Sequence, residues 1–273
     1  MKSGLDMNQL MIRRIRRILL ICNNYDSFSL EEDGHIEAQI RREYADLNLS
    51  NPPSIERAES TIEALELIKD KNHHFDLIIT MFNVGELDVF DFSKQAKSLS
   101  ADTPIVLLAS FSKQIYSFIE ERDRSSIDYV FCWNNSTDVI IAIIKLLEDK
   151  LNAEHDILDM GVRAILLVED SVRYYSTYLP LLYKLVLQQN MESIKDALNE
   201  EQQYMRKRAR PKILMATCYD EAVGLYERYK SNILGVISDI GFVIHKGDAP
   251  STEKSDAGID LCRLVKKDNP TMP

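Results

Sequence analysis

The feature that most constrains this chain is an alternation, run twice, of short apolar runs with helix-patterned stretches. In the first half, apolar runs at 17–22, 54–58, 75–80, 105–109 and 129–132 are each long enough for a strand. Helix-patterned stretches follow them at 31–47, 61–69, 90–99, 113–121 and 137–151, the last with Ile140, Ile144, Leu147 and Leu151 on one face. Strand and helix in strict turn predict parallel strands joined by crossovers, and so an α/β fold with helices on both faces of the sheet.

The second half restarts the pattern. A strand at 164–168 leads to a long helix from Val172, then a strand at 212–216, a helix at 220–229, a strand at 234–238 and a helix at 258–267. RILLI at 17–21 matches AILLV at 164–168, and FDLIIT at 75–80 matches ILGVIS at 233–238, in pattern rather than identity. Residues 191–210 form a helix-favouring insertion that turns from acidic to basic along its length, which suits a helix dipole. The polar segment 152–161, ending in Gly161, reads as a linker. The expected organisation is a basic lead-in at 1–15, a domain at 16–151, the linker, and a second domain at 162–273. At roughly 150 residues per domain, 273 residues fall a little short of two. The shortfall lies in the second domain, which is expected to stop before a fourth strand and to leave its third as an open edge.

Charge narrows the partners. With 33 Lys and Arg against 43 Asp and Glu, the net charge of −10 repels both a phosphate backbone and an anionic bilayer, so neither direct nucleic-acid binding nor a membrane is expected. No apolar run approaches the roughly 20 residues of a span. The run after Arg13, Arg14, Arg16 and Arg17 is too short for a signal-peptide core. Cys22, Cys132, Cys218 and Cys262 show no CxxC spacing, which argues against a disulfide framework or a zinc site and for reduced thiols in a cytoplasmic protein.

In an open parallel sheet, functional residues gather where strands end at their carboxyl termini. The strand at 164–168 runs into Glu169 and Asp170, and the strand at 234–238 runs into Asp239. If those two strands are neighbours, three carboxylates converge, and their repulsion calls for a divalent cation; an all-oxygen set suits Mg²⁺. The plain alternative is a polar strand exit with acids at a helix N-terminus. A dinucleotide site is disfavoured because no GxGxxG follows either first strand. A haloacid-dehalogenase type of enzyme expects an Asp two residues after the nucleophile, where this chain has Gly241.

Together VEDS at 168–171, Asp239 within ISDIGF, Asp-Glu-Ala at 220–222 and GIDLCRLVKKDNPTMP at 258–273 resemble the response-regulator receiver family of two-component signalling. The resemblance covers most of 162–273. It implies two doubly wound, flavodoxin-like parallel-sheet domains, the second incomplete at its C-terminus. It also implies Asp239 as phosphoacceptor, Mg²⁺ held directly by Asp170 and Asp239, Glu169 acting through water, and the backbone carbonyl of Gly241 as a further ligand. A histidine kinase or phosphotransfer protein would be the partner.

The chain departs from the family pattern in two places. Nineteen positions separate Asp239 from Gly258, through a polar loop at 243–257 that carries His245, Lys246 and Lys254 and is expected to be mobile and to cover the site. Beyond Pro273, the Ser or Thr and the Lys of the family have no counterpart. Laid on the first half, the same template puts Cys22 and Asn23 at the acidic pair, Met81 at the phosphoacceptor, Ala109 and Ser110 at the Ser/Thr position, and Cys132 and Trp133 at the Lys-Pro position. A pocket of Cys22, Met81 and Cys132 offers no oxygen to Mg²⁺. This half reads as a pseudo-receiver that serves interaction.

The expectation is therefore a regulatory module, not an enzyme, with phosphoryl acceptance on Asp239. Its alternative is a purely structural interaction module in which neither domain is phosphorylated. The broad apolar face of the 137–151 helix, including Val139, Ile143 and Leu146, and the 191–210 insertion are the two candidates for a homodimer contact. DYVFCWNN and VEDSVRYY also resemble the N-terminal part of bacterial proteins that continue into a phosphoenolpyruvate-synthase-like region.

Overall fold

The computed structural model describes residues 10–23, 36–46, 49, 51–70, 73–85, 87–110, 122–133, 136–195 and 209–273. Eight strands lie in two parallel sheets. The first comprises β1 (Arg17–Ile21), β2 (Ser54–Ala58), β3 (Leu77–Met81), β4 (Ile105–Ser110) and β5 (Tyr129–Trp133), in the order β2-β1-β3-β4-β5. That is the doubly wound order in which the chain steps outward one way from β1 and then returns to build the other side. β3 reads LIITM and is buried at every position, as a central strand covered on both faces must be. β2 at the edge reads SIERA and buries only Ala58 fully.

The described helices of this sheet are α1 (Ile36–Asp46), α2 (Thr61–Lys69) and α3 (Val89–Leu99). Local chemistry starts them cleanly. Ser60 accepts a hydrogen bond from Glu63 N–H at 3.2 Å, and the Glu63 carboxylate accepts one from Glu59 N–H at 2.7 Å, a reciprocal cap. Asp88 likewise accepts from Phe90 N–H at 2.8 Å at the start of α3. The helix expected at 113–121 lies outside the described residues, as does 31–35 of the first.

The second sheet holds β6 (Ala164–Val168), β7 (Lys212–Ala216) and β8 (Ile233–Ser238) in the order β7-β6-β8. In order of appearance this is second, first, third, the same start as β2-β1-β3, so the internal repeat is one of topology. Around it are α5 (Val172–Lys195), α6 (Tyr219–Tyr229) and α7 (Ala257–Asp268). Its core includes Leu166, Val168, Leu214, Ala222, Tyr226, Phe242, Leu261 and Val265. Residues 191–195 of the expected insertion belong to α5, and 196–208 lie outside the described residues. β8 is only part-buried, with Leu234 and Ile237 each 44% exposed. On the side away from β6, Val236 N–H donates to the Pro273 carbonyl at 3.1 Å.

Two compact units result, one of residues 14–141 and one of 142–273 joined by residues 10–13. The boundary falls inside α4 (Thr137–Ala153). The polar segment 152–161 is helical through most of its length: α4 runs to Ala153 and one wide π turn follows over Glu154–Asp159 before Gly161 adopts φ 71°. Within it Glu154 and Asp159 are exposed, whereas Asp156 belongs to a buried ion network. Asp149 takes two bonds from the Arg210 guanidinium, at 2.7 and 3.0 Å, one from the Tyr183 hydroxyl at 3.0 Å and one from Ile213 N–H at 2.9 Å. Lys212 Nζ lies 2.7 Å from Asp156 and 3.7 Å from Asp149. All four charged groups are essentially inaccessible to water. Burial opposes the charge on Asp149, but Arg210, Lys212 and the hydrogen bonds outweigh it and hold its pKa below the usual carboxylate range.

The basic lead-in takes part in this network. Met11 N–H reaches both Asp156 oxygens at 3.2 Å, and Arg13 exchanges hydrogen bonds with the Asn152 amide at 2.9 and 2.6 Å. Nor is the broad face of α4 spare for a second copy, because every residue from Ile141 to Asp149 is buried within the chain. Its charged residues Lys145 and Glu148 are buried too, paired with each other at 2.8 Å.

Candidate functional site at the second switch point

The crevice in a doubly wound sheet opens between the strands from which the chain departs in opposite directions. In the second unit these are β6 and β8. Their register pairs Val168 with Ser238, so Glu169 and Asp239 stand opposite each other one residue beyond the ladder. Backbone bonds hold both exits: Glu169 N–H donates to Ala216 O and Asp239 N–H donates to Val168 O, each at 3.0 Å.

Glu169, Asp170 and Asp239 each place a carboxylate oxygen within 4.8 Å of the others. The three form a gradient from inside to outside, with Glu169 buried at 4% exposure, Asp170 part-buried and Asp239 exposed. Each also has one backbone donor. Ser171 N–H bonds Glu169 at 3.1 Å, Val243 N–H bonds Asp170 at 3.2 Å, and Ile240 N–H bonds Asp239 at 2.7 Å. One donor per carboxylate does not offset the crowding. Burial, followed by the charges of Asp239, Asp170 and Glu253, pushes the Glu169 carboxyl up to about 7 despite the Ser171 bond. Burial foremost, with Glu253 and Asp239 adding, also raises Asp170.

Gly241, buried and two residues past Asp239, lies against the Glu253 carboxylate, the movable end of a side chain, which a Cβ there would displace. Gly258 is required by packing, since a Cβ at the start of α7 would strike the Asp239 backbone carbonyl; its own N–H donates to Ile240 O at 2.8 Å. The loop at 243–257 is not a free cover. Phe242 and Lys254 form an antiparallel bridge with bonds of 3.3 and 3.1 Å, a 3₁₀ turn spans Pro250–Thr252, and Lys254 is paired through its side chain with Asp260. Tyr219 and Asp220 N–H donate to Val243 and Ile244 carbonyls at 3.0 and 3.1 Å, and His245 meets Asp220 at 2.6 Å.

Glu253 is the residue that reading the sequence missed. It sits in a polar loop with nothing in its neighbours to set it apart, and the only hint is the pair Gly241 and Gly258, which marks close approach on both sides of that loop.

A donor set of three convergent carboxylates, one of them raised to about 7 by burial first and by its neighbours' charges second, fits a hard divalent cation such as Mg²⁺: oxygen ligands only, with Asp239 exposed on the side where water or phosphate oxygens would complete the shell.

At the first switch point β1 and β3 stand in the same relation. Ile21 pairs with Thr80, which sets Cys22 opposite Met81. Both are buried, at 1% and 7% exposure. Asn23 donates to the Asn83 carbonyl at 2.8 Å, and the Arg57 guanidinium lies 3.6 Å from the Cys22 sulfur. Among the described residues, the three acids of the second unit are the one group of metal-ligating side chains gathered closely enough to share an ion.

No family model matches the chain, and no curated protein is significantly similar to it. Among solved structures it is similar to a CheY-like response regulator receiver domain from Methanospirillum hungatei, at 14% identity over 51% of this chain and 98% of that one, with a TM-score of 0.39. It is similar to an adenylate cyclase from Rhodopirellula baltica at 16% identity, over 53% and 98% of the two chains, TM-score 0.38. A third is a response regulator from Burkholderia pseudomallei with a phosphorylated aspartic acid, calcium ion and citrate, at 14% identity over 70% and 95%, TM-score 0.34. No described helix is long and apolar enough to cross a membrane.

Proposed function

We propose that the chain is a two-component-type regulatory module whose second unit accepts a phosphoryl group on Asp239 and whose first unit keeps the fold without the chemistry and serves as an interaction domain. The observation that carries this reading is the meeting of Glu169, Asp170 and Asp239 across the β6–β8 switch point. Asp170 and Asp239 would hold a divalent cation, with Glu169 behind them and the Gly241 backbone carbonyl as a further ligand. When bound, the cation neutralises charge on the phosphoryl oxygens and the attacking carboxylate.

The chain's own part is positional. Ile240 N–H orients one Asp239 oxygen, leaving the other, exposed, to attack phosphorus. The bond to the donor breaks as the new acyl phosphate bond forms, and the electron pair leaves with the donor, a phosphohistidine of a histidine kinase or phosphotransfer protein. Glu169 and Asp170 supply negative charge that draws the cation to the site, and their greater burial leaves the exposed Asp239 as the acceptor.

The test is incubation of the chain with a small phosphoramidate and Mg²⁺, followed by intact-mass measurement. One phosphoryl group should appear and be lost in Asp239→Ala. No Asp239-dependent incorporation, in this chain or in one extended past residue 273, would leave the purely structural interaction module as the better reading.

A further inference from the structure

The 243–257 loop carries the Glu253 carboxylate against Gly241, two residues past Asp239. The Phe242–Lys254 bridge makes 253 and 254 a short extended pair, in which successive side chains point to opposite faces. Lys254 turns toward α7, where Asp260 and Asp256 take its ammonium. Glu253 therefore faces the other way, over Gly241, in the space that any side chain at 241 would need. Its backbone is fixed by its N–H to Pro250 O at 3.2 Å, closing the 3₁₀ turn.

From this placement we propose that Glu253 is a fourth carboxylate of the divalent-cation site, delivered by the 243–257 loop, and that it sets how tightly the site holds its ion. The proposal rests on the reading of Glu169, Asp170 and Asp239 as a cation site and adds an outer member to it. Glu253 lies outside the tight group of three and so acts as a charge at the rim, through water, instead of as a replacement for one of them. The number of carboxylates around an oxygen-ligated cation is a main determinant of its affinity. A carboxylate beside Gly241 raises that number without altering either strand. It also explains why the long loop between Asp239 and α7 is anchored, since an unanchored loop would hold the charge only part of the time.

Calorimetric titration of the full chain with Mg²⁺, and separately with Mn²⁺, tests this without any phosphodonor. Glu253→Gln keeps size and loop backbone but removes the charge, and it should weaken binding by about tenfold. Glu253→Asp, which keeps the charge on a shorter stem, should lie between. Glu227→Gln, an exposed acid on α6, should bind like wild type. If Glu253→Gln binds within twofold of wild type, or more tightly, while Asp170→Ala abolishes binding, the cation site stands and the role of Glu253 is overturned. If wild type itself takes up neither ion, the underlying cation-site reading fails as well.

Discussion

The two switch points of this molecule share a topology and differ in everything that topology does not dictate. At the first, Cys22 faces Met81 across β1 and β3; at the second, Glu169 faces Asp239 across β6 and β8, in the same register relation. The first sets two buried sulfur side chains opposite each other, with the Arg57 guanidinium 3.6 Å from the Cys22 sulfur. The second crowds three carboxylates into one crevice, where burial and mutual repulsion raise the pKa values of Glu169 and Asp170. A doubly wound sheet thus sets where a site lies, and the two or three residues past each strand decide whether a site exists there.

The contrast can be broken most forcefully by placing an acid where the first unit has none. Met81→Asp buries a carboxylate in place of a thioether, opposite Cys22 and its Arg57 contact, and should cost the first unit about 3 kcal/mol. Trp133, the single tryptophan, ends β5 of that sheet, so its emission during denaturant unfolding reads the loss locally. Asp239→Ala in the second unit should leave that transition unchanged.

A loss of similar size, about 3 kcal/mol, should follow Asp149→Ala, which strands Arg210 as an unpaired buried cation and leaves Lys212 with Asp156 alone. Hydrogen exchange should show it in β7. The same measurement separates acids that stabilise from acids that strain, because Glu169→Gln should act the opposite way. Removing a poorly compensated buried charge should stabilise the cation-free second unit by about 1 kcal/mol at pH 8.

Acidity sharpens that distinction. The Glu169 carboxyl titrates near 7 when folded, against an ordinary value of 4.5. The folded state therefore binds this proton more tightly than the unfolded chain does. Its contribution is unchanged below about 4.5 and turns against folding as pH rises through 7. Without divalent cation, protection of β6 should fall between pH 5 and 8. With Mg²⁺ the trend should weaken or reverse, since the cation prefers the ionised carboxylate, and its affinity should climb over the same window. Asp149, held below the ordinary range, gives no such slope there. The smallest effect belongs to the scaffold: Ser60→Ala should cost the first unit about 1 kcal/mol by removing the α2 cap, with no change in cation binding to the second.

What could be read in advance follows from how local each signal is. Alternation of apolar runs and helical stretches is written in neighbouring residues, and it located all eight strands to within a residue or two. The acids at 169, 170 and 239 were legible because they end apolar runs. Less legible were the charged residues buried far from any site. Asp149 and Asp156 lie on or beyond a helix and Lys212 opens a strand, and each looks like ordinary surface polarity until its partner, 60 or so residues away in sequence, is in place.

The sequence by itself determined a twice-repeated α/β pattern, a first switch point without acids and a second with three, because strand periodicity and strand-end residues are local properties. Only the tertiary structure decided that β6 and β8 are neighbours, so that those acids meet, and that the segment at 152–161 is helix pinned by buried ion pairs. The same is true of Glu253, fourteen residues from Asp239 along the loop, whose carboxylate lies over Gly241. Each of these depends on which distant groups share a desolvated space, and Coulomb repulsion and burial act through that space without regard to sequence order.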